Sequence, residues 1–263
     1  MSLYGWHNCP LSNKLQIMKL RDGLIEYLGS NLEGIYLHGS IALDSFNPGT
    51  SDLDIIVLLK NPIDIDLRFS LIRFFLDLSL KPSPIEISLI TLGAVWPWQY
   101  PTPFELHSSE YWRSRYEEQV QSSNKDFWSE TPVDSDLACH ITLINRCGIC
   151  LWGTPIEQAF PVVPETDFRA SILSDVDYAA NALDTMPVYG ILTLSRILSY
   201  LETGEILSKG LAGEWVLPLI PVNIRYLVRQ AVGIYVGDVD GSAPFAKAEL
   251  ERYKLIMLSM IKR

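Results

Sequence analysis

The segment of residues 36–59 is the feature that most constrains the fold of this chain. It contains two apolar runs of strand length, separated by the pair Gly39-Ser40, a short helix-like stretch and a loop. Gly39 has no side chain, so its backbone can approach a ligand closely and adopt unusual dihedral angles. The Ser40 hydroxyl and the N–H groups at the start of the helix suit a phosphate. The segment therefore predicts a strand, a phosphate-binding turn, a helix, a loop and a second strand.

Two aspartates stand at the start of the second strand. The sequence Ser51-Asp52-Leu53-Asp54 leads directly into an apolar stretch at residues 55–59. Side chains alternate along a strand, so Asp52 and Asp54 point to the same face. Two adjacent carboxylates repel each other unless a cation lies between them, and Mg²⁺ fills that place in phosphate chemistry. Such a pair alone is most often a solvated strand end, but its combination with the Gly-Ser turn indicates a magnesium and phosphate site.

A third carboxylate lies on the next predicted strand. Residues 85–91 alternate between apolar and polar side chains, which predicts a strand with one apolar face. Glu86 and Ser88 share the opposite face. By itself, Glu86 is most simply a solvent-exposed strand residue. A role in the site requires that its strand lie beside the strand that carries the two aspartates.

Composition and charge limit the classes of function. The chain has 263 residues, of which 48% are hydrophobic, enough for one large domain or two modest ones. Its net charge of −10 and pI of about 4.9 argue against nonspecific nucleic-acid binding and suit a cationic small molecule. No apolar run reaches the ~18 residues of a membrane span, and no signal-peptide pattern is visible at the start. We therefore expect a soluble cytoplasmic protein without membrane or nucleic-acid partners, and a monomer as the default.

The four cysteines allow two interpretations. Cys139, Cys147 and Cys150, with His140 next to the first of them, could form a zinc cluster. The structural interpretation is stronger: an apolar helix that ends at Gly148, followed by a short buried strand at residues 149–153. Cysteine is among the most frequently buried residue types, so cysteines in such elements need no metal.

The remaining pattern divides the chain into an α/β part and a helical part. In the first part, apolar periodicity predicts helices at residues 15–28, 63–80 and 134–146. Residues 160–168, with two prolines, indicate a linker. Beyond it no strand pattern stands out, and helices are predicted at residues 168–183, 188–203, 210–219, 224–236 and 245–261.

These motifs resemble those of a known enzyme family. The Gly-Ser turn followed by Ser-Asp-x-Asp resembles the signature of the polymerase-β-like nucleotidyltransferase superfamily. The stretches I-E-I-S-L-I, P-W-Q-Y-P, E-Y-W-R and L-T-L-S-R are similar to those of the aminoglycoside nucleotidyltransferases that adenylylate spectinomycin and streptomycin. The resemblance extends over nearly the whole chain. It implies an α+β fold, with a mixed-sheet nucleotidyltransferase domain at residues 1–157 and an all-α helical bundle at residues 158–263.

The resemblance also implies a reaction and a set of site residues. AMP would pass from MgATP to a hydroxyl of an aminoglycoside-type antibiotic, foremost the 9-hydroxyl of spectinomycin, and so confer resistance. Asp52 and Asp54 would take part in catalysis as Mg²⁺ ligands, and Glu86 would act as the catalytic base. The residues implied to bind ATP, in a cleft between the two domains, are Gly39, Ser40, Ser51, Arg196 and Lys209. Those implied to contact the drug are Glu86, Trp112 and Asp184.

Two alternatives remain open. Relatives that use streptomycin carry a Trp in the segment before L-T-L-S-R, whereas residues 177–187 of this chain contain none, which favours spectinomycin. The same chemistry on streptomycin or another hydroxyl acceptor is the first alternative. The second is a regulatory or antitoxin-like protein that binds a nucleotide without catalysis, although the presence of all three carboxylates argues against it.

Overall fold

The computed structural model of the chain, which describes residues 3–122 and 132–262, divides into two compact units. The first unit comprises Tyr4–Phe168, and the second contains the residues from Arg169 onward. The sequence places a domain boundary after residue 157, and this domain assignment stays a prediction. Within the described part of the chain, every helix is too short or too polar to cross a membrane.

A five-stranded mixed sheet forms the centre of the first unit. The strands of this unit are β1 (Leu32–Leu37), β2 (Leu53–Leu59), β3 (Ile85–Thr91), β4 (Thr102–Pro103), β5 (Leu106–Ser108), β6 (Val133–Asp134) and β7 (Ile149–Gly153). The sheet has the order β5-β3-β2-β1-β7, while β4 and β6 pair separately. Strands β2 and β3 are parallel, and the other neighbours are antiparallel. The two central strands are buried along most of their length, in keeping with their nearly continuous apolar sequence.

Helices cover both faces of this sheet. They are α1 (Leu11–Leu28), α2 (Gly39–Ala42), α3 (Ile65–Leu78), α4 (Leu92–Val95), α5 (Arg113–Ser122), α6 (Leu137–Cys147) and α7 (Ile156–Ala159). The apolar residues of α1 and α3 share one core with the odd-numbered residues of β1, β2 and β3. On the even-numbered face, the Tyr36 ring meets the Phe160 ring at 4.8 Å. Asp54 and Glu86 lie on this even-numbered face, at the start of their strands.

Helix α1 also fixes the loop that leads into β3. The Gln16 side-chain amide donates to the backbone oxygens of Leu78 at 3.0 Å and Ser83 at 2.7 Å, and its oxygen accepts from the Ser83 N–H at 3.1 Å. Asn13 donates to the Ser83 hydroxyl at 2.8 Å. All four bonds join buried groups, so they define where α3 ends and β3 begins. The position of Glu86 depends on this loop.

Two predictions for the first unit are wrong. The helix predicted from residue 134 begins at Leu137, because Asp134 belongs to β6 and its side chain accepts from the Asp136 N–H at 2.8 Å. The strand predicted at residues 149–153 is present as β7, but it is not buried, since it forms an edge of the sheet. All four cysteines are free, Cys150 is exposed, and among the described residues no cysteine belongs to a metal-ligand cluster.

The second unit is helical, as predicted. Its helices are α8 (Glu165–Ala182), which starts in the first unit, α9 (Pro187–Thr203), α10 (Lys209–Val216), α11 (Arg225–Val236) and α12 (Lys247–Ile261). Their apolar residues form one core. Helix α9 ends at Gly204, whose φ of +72° is the left-handed conformation that glycine adopts at helix ends. The predicted linker is shorter than expected, because α8 already begins at Glu165.

Candidate active site

The parallel pairing of β2 and β3 brings the three predicted acidic residues together. Asp54 and Glu86 are partners in the register, so their side chains stand side by side on one face of the sheet. Asp52 lies just before β2. Carboxylate oxygens of Asp52, Asp54 and Glu86 all lie within 4.8 Å of one another, and the three residues are half-buried. We call these three residues the acidic cluster.

The turn between β1 and α2 requires glycine. Gly39 has a φ of +65°, and a Cβ at this position would lie only 1.8 Å from Oδ2 of Asp54. The N–H of the preceding residue, His38, donates to the Asp54 carbonyl oxygen at 2.9 Å. The turn is therefore held directly against the acidic cluster, and a side chain at position 39 would push the Asp54 carboxylate away.

The two serines of the motif differ in their surroundings. The Ser40 hydroxyl is buried and has no hydrogen-bond partner among the described residues, whereas most buried hydroxyls have one. A phosphate oxygen at the turn is a suitable partner for it. The Ser51 hydroxyl accepts from the Asn47 N–H at 3.0 Å, and the Ser51 N–H donates to the Asn47 carbonyl oxygen at 2.8 Å. Ser51 shapes the loop before β2, and its contact with ATP stays a prediction.

Sequence reasoning missed the place of a half-buried histidine beside the acidic cluster. His140 on α6 pairs with Asp136 at 3.1 Å, and its ring centre lies 4.8 Å from that of His38. Burial by itself would lower the pKa of His140, but the nearby carboxylates of Asp136, Glu86 and Asp54 outweigh burial and raise this pKa to about 10. The i,i+4 spacing of Asp136 and His140 was the available signal, since such residues are neighbours on a helix.

The charge on His140 lowers the pKa of both Glu86 and His38. Burial raises the pKa of the Glu86 carboxyl, His140 opposes that rise, and Asp52 adds to it. Burial, together with His140, holds the pKa of His38 well below its usual range, so His38 is neutral. A carboxylate with a raised pKa is better suited to accept a proton from a hydroxyl. The surroundings of Glu86 are therefore those of a candidate base.

Trp112 lies at the same end of the sheet as Glu86. Strand β5 runs antiparallel beside β3 and ends close to where β3 begins. The short 3-10 turn Glu110–Trp112 follows it. The Trp112 ring contacts the Tyr111 ring at 5.4 Å, and the Arg115 guanidinium lies 5.4 Å from its centre. Trp112 is half-buried and packs against the core of the first unit.

The other predicted ligands belong to the second unit. Arg196 is half-buried on α9. Lys209 is the first residue of α10, and its ammonium group lies 5.2 Å from the centre of the Tyr189 ring. Asp184 is exposed in the turn between α8 and α9. The contacts of these residues with ATP or a drug stay predictions.

The acidic cluster has the donor set of a magnesium site. Mg²⁺ prefers oxygen ligands and is commonly held by one or two carboxylates together with phosphate oxygens. Three carboxylates this close repel one another strongly unless positive charge compensates them. In the described part of the chain, no other group of three potential ligands is as tightly clustered. The residues present therefore fit a Mg²⁺ ion next to a phosphate-binding turn.

Two family models match the chain. The model described as "Nucleotidyltransferase domain" matches residues 17–144, and that described as "Aminoglycoside adenylyltransferase, C-terminal domain" matches residues 158–260. The two models thus follow the α/β part and the helical part of the sequence. The first match includes the Gly-Ser turn, and the second includes the L-T-L-S-R helix.

Characterised proteins resemble the chain over most of its length. A spectinomycin 9-adenylyltransferase from Staphylococcus aureus is 30% identical over 222 residues, which is 82% of each chain. An aminoglycoside (3'') (9) adenylyltransferase from Klebsiella pneumoniae is 27% identical over 245 residues, 88% of each chain. The crystal structure of a spectinomycin adenyltransferase from Enterococcus faecalis with ATP and spectinomycin has the same fold, with a TM-score of 0.81, 24% identity, and coverage of 95% of this chain and 99% of that one. The chain therefore belongs to the aminoglycoside adenylyltransferase family of nucleotidyltransferases.

Proposed function

We propose that this enzyme transfers AMP from MgATP to the 9-hydroxyl of spectinomycin. The observation that carries the proposal is the acidic cluster, placed directly against the Gly39 turn. The spectinomycin 9-adenylyltransferases among its relatives support this acceptor. The complete set of carboxylates favours a catalyst over a regulatory protein that only binds the nucleotide.

The turn between β1 and α2 binds the phosphates of ATP. Gly39 allows the backbone to approach the phosphate oxygens, and Ser40 donates its hydroxyl, which is otherwise buried without a partner among the described residues. Arg196 and Lys209 add positive charge, which the family resemblance assigns to the phosphates. Ser51 supports the loop that carries Asp52.

Asp52 and Asp54 hold Mg²⁺ in this proposal. When bound, the ion neutralises charge on the phosphate oxygens and on the departing pyrophosphate. Asp52 and Asp54 are close together because they lie two residues apart at the start of β2, and the hydrogen bond from the His38 N–H to the Asp54 carbonyl oxygen ties this segment to the turn. The pairing of β2 with β3 adds Glu86 beside Asp54. The cationic His140 reduces the repulsion among the carboxylates from the α6 side.

Glu86 acts as the general base. It accepts the proton of the drug hydroxyl as the oxygen forms a bond to the α-phosphorus and the bond to pyrophosphate breaks. Its burial and raised pKa support this role, because a base must hold the proton that it removes. Trp112 packs against the rings of the drug, and Asp184 attracts one of its ammonium groups.

The test is to measure pyrophosphate release from MgATP with spectinomycin, with streptomycin and without an acceptor. Spectinomycin-dependent release is expected from the wild type. Glu86→Gln should reduce it by about 100-fold or more, since general-base catalysis contributes about 10²–10⁴-fold. Glu26→Gln, the same substitution at an exposed position on α1, is the matched control and should behave as the wild type.

Each other outcome has a definite meaning. If ATP binds but neither drug causes release, the acceptor is wrong and the search moves to other hydroxyl compounds. If Glu86→Gln keeps full activity, Glu86 is not the base. Tight ATP binding without turnover under any condition would instead support a regulatory protein.

Streptomycin is the second candidate acceptor. The name of the relative from Klebsiella pneumoniae gives two positions, 3'' and 9. The chain therefore also resembles an enzyme whose name covers more than the 9 position. Release with both drugs would show that a Trp before the L-T-L-S-R helix is not required for streptomycin. A cytoplasmic location and a monomeric state belong to the same proposal, and gel filtration tests the latter.

A further inference from the structure

The second unit holds a cluster of aromatic and charged side chains around Tyr189. The Lys209 ammonium lies 5.2 Å from the centre of the Tyr189 ring. The ring of Tyr178, on α8, meets the same ring nearly edge-on, at 5.8 Å between centres and an angle of 78°. Three helices, α8, α9 and α10, therefore contribute one side chain each to this arrangement.

Tyr189 is a rigid member of the cluster. It is half-buried and packs against the helical core, and the edge contact with Tyr178 restricts the orientation of its ring. Burial and the charge of Asp175 raise the pKa of Tyr189 to about 12, against the opposing charge of Arg196. The phenol is therefore neutral at physiological pH. The Tyr189 ring presents its negative π face to the Lys209 ammonium. Arg196 is close enough for its charge to act on the Tyr189 hydroxyl.

The place of Lys209 on α10 suits an anion. Lys209 is the first residue of the helix, Ser208 caps it by accepting from the Leu211 N–H, and the first turn carries no acidic residue. A cation here opposes the helix dipole, whereas an anion would be attracted both by the dipole and by the lysine. A lysine side chain is flexible, so holding it in one place before the ligand arrives reduces the entropy lost on binding.

We propose that Tyr189 is a positioning residue for ATP, whose ring holds the Lys209 ammonium ready to meet the phosphates. Tyr178 keeps the Tyr189 ring in the orientation that this contact needs. The inference rests on the proposed function, in which Lys209 binds the ATP phosphates. Because cation–π contacts are moderate in strength, loss of the ring should weaken ATP binding by about three- to tenfold.

A double-mutant cycle in the full-length chain tests this inference. Calorimetry would measure the Kd of MgATP for the wild type, Tyr189→Leu, Lys209→Ala and the double variant. Tyr189→Leu should weaken binding, Lys209→Ala should weaken it at least as much, and the double variant should be no weaker than Lys209→Ala. Tyr189→Phe, which keeps the ring, should restore wild-type affinity. Adenosine, which has no phosphates, should bind the wild type and Tyr189→Leu equally well.

The outcomes separate this inference from the function on which it rests. If Lys209→Ala binds MgATP as tightly as the wild type, the phosphate role of Lys209 is wrong. If Lys209→Ala is weakened while Tyr189→Leu is not, or if the two losses multiply in the double variant, only the positioning role is wrong. Weak binding by Tyr189→Phe would overturn it as well, and this variant suffices should Tyr189→Leu fail to fold. Melting curves for each variant check folding.

Discussion

The contact between Gly39 and Asp54 leaves no room for a side chain at position 39. Gly39→Ala would place a Cβ 1.8 Å from Oδ2 of Asp54 at a φ of +65°, so either the turn or the carboxylate must move. We expect an activity loss of about 100-fold or more, because displacement of catalytic groups by about 1 Å can cost that much. A steady-state assay of pyrophosphate release measures it.

Gly49→Ala is the matched control for this prediction. A Cβ at position 49 would meet only Oδ1 of Asn47, at an ordinary 3.5 Å. This variant should keep its activity and melting temperature. Full activity in Gly39→Ala would show that the turn does not need to lie against the acidic cluster.

His107 should make the folded protein sensitive to mild acid. Its Nδ1 lies 2.9 Å from the Ser88 hydroxyl, and burial lowers its pKa below 6.5, with His140 acting in the same direction and Asp134 and Asp136 opposing. In the unfolded chain, His107 therefore takes up a proton near pH 6.5. In the folded protein, the His107 side chain is still neutral at that pH. Stability should fall as the pH drops from 6.5 towards the folded pKa, by at most about 1.4 kcal/mol per pH unit.

The His107→Asn variant isolates this effect. Melting temperatures at pH 7.5 and 5.5 would be measured for both proteins in the same buffers. The wild type should lose more stability over this interval than the variant, whatever the absolute stability of the variant at pH 7.5. Equal losses would show that His107 does not control the acid response.

Sequence reasoning at this scale found the residues whose types and spacing carry the chemistry. Asp52 and Asp54 share a face because strand side chains alternate, and Gly39 lies at a turn that demands glycine. It missed the link between His140 and this cluster. That link depends on the packing of α6 against the turn that follows β1, which no local pattern encodes.

Among the elements, the loop between α3 and β3 controls where Glu86 lies. Gln16 on α1 makes three buried hydrogen bonds to this loop, to the backbones of Leu78 and Ser83. Gln16→Leu would remove the side-chain partner of the Leu78 carbonyl oxygen and of the Ser83 N–H, at a cost of about 1–3 kcal/mol for each unpaired group. The Ser83 carbonyl oxygen still accepts from the Leu80 N–H at 2.9 Å. We expect a lower free energy of unfolding and reduced activity, measured by urea denaturation and by the release assay.

Gln16→Glu is the comparison variant for Gln16→Leu in the test of the loop between α3 and β3. It keeps the size of the side chain and its acceptor for the Ser83 N–H, but it loses the amide that donates to Leu78 and Ser83. A buried charge adds to the loss, so this variant should be at least as unstable as Gln16→Leu. If both variants are as stable and active as the wild type, the loop is held by other contacts.

The predicted elements are present with small errors at their ends, but the sequence pattern predicts neither the strands β4 and β5 nor the helix α5. Helix α3 begins at Ile65 rather than residue 63, because Asp64 caps it by accepting from the Leu67 N–H at 2.8 Å. Helix α6 begins late because Asp134 joins β6, which pairs with a strand about thirty residues earlier in the chain. The exposure of β7 follows from its edge position, and strand order is a tertiary property.

For the whole molecule, binding of MgATP should stabilise the folded state through the acidic cluster. A ligand at 100 times its Kd adds about 2.7 kcal/mol to the stability of the state that binds it. We expect MgATP to raise the melting temperature by several degrees, and ATP with EDTA to raise it less. The double variant Asp52→Asn/Asp54→Asn should lose the difference between the two conditions.

A charge-matched control makes this prediction specific. Asp22→Asn/Glu26→Gln removes two exposed carboxylates from α1 and should keep the full magnesium-dependent shift. A magnesium-dependent shift that survives in Asp52→Asn/Asp54→Asn would place the ion elsewhere. Differential scanning fluorimetry at fixed ATP concentration measures all three proteins.

The sequence by itself determined the chemistry and the class of fold. Residue types at fixed local spacings define the Gly-Ser turn, the Asp-x-Asp strand and the helical second half, since strand alternation and helical periodicity are local properties. Only the tertiary structure decided that Glu86 faces Asp54, that a cationic His140 lies beside them, and that the Lys209 ammonium lies over the Tyr189 ring. Each of these contacts joins residues far apart in the chain, and the packing of whole elements, rather than any local pattern, selects them.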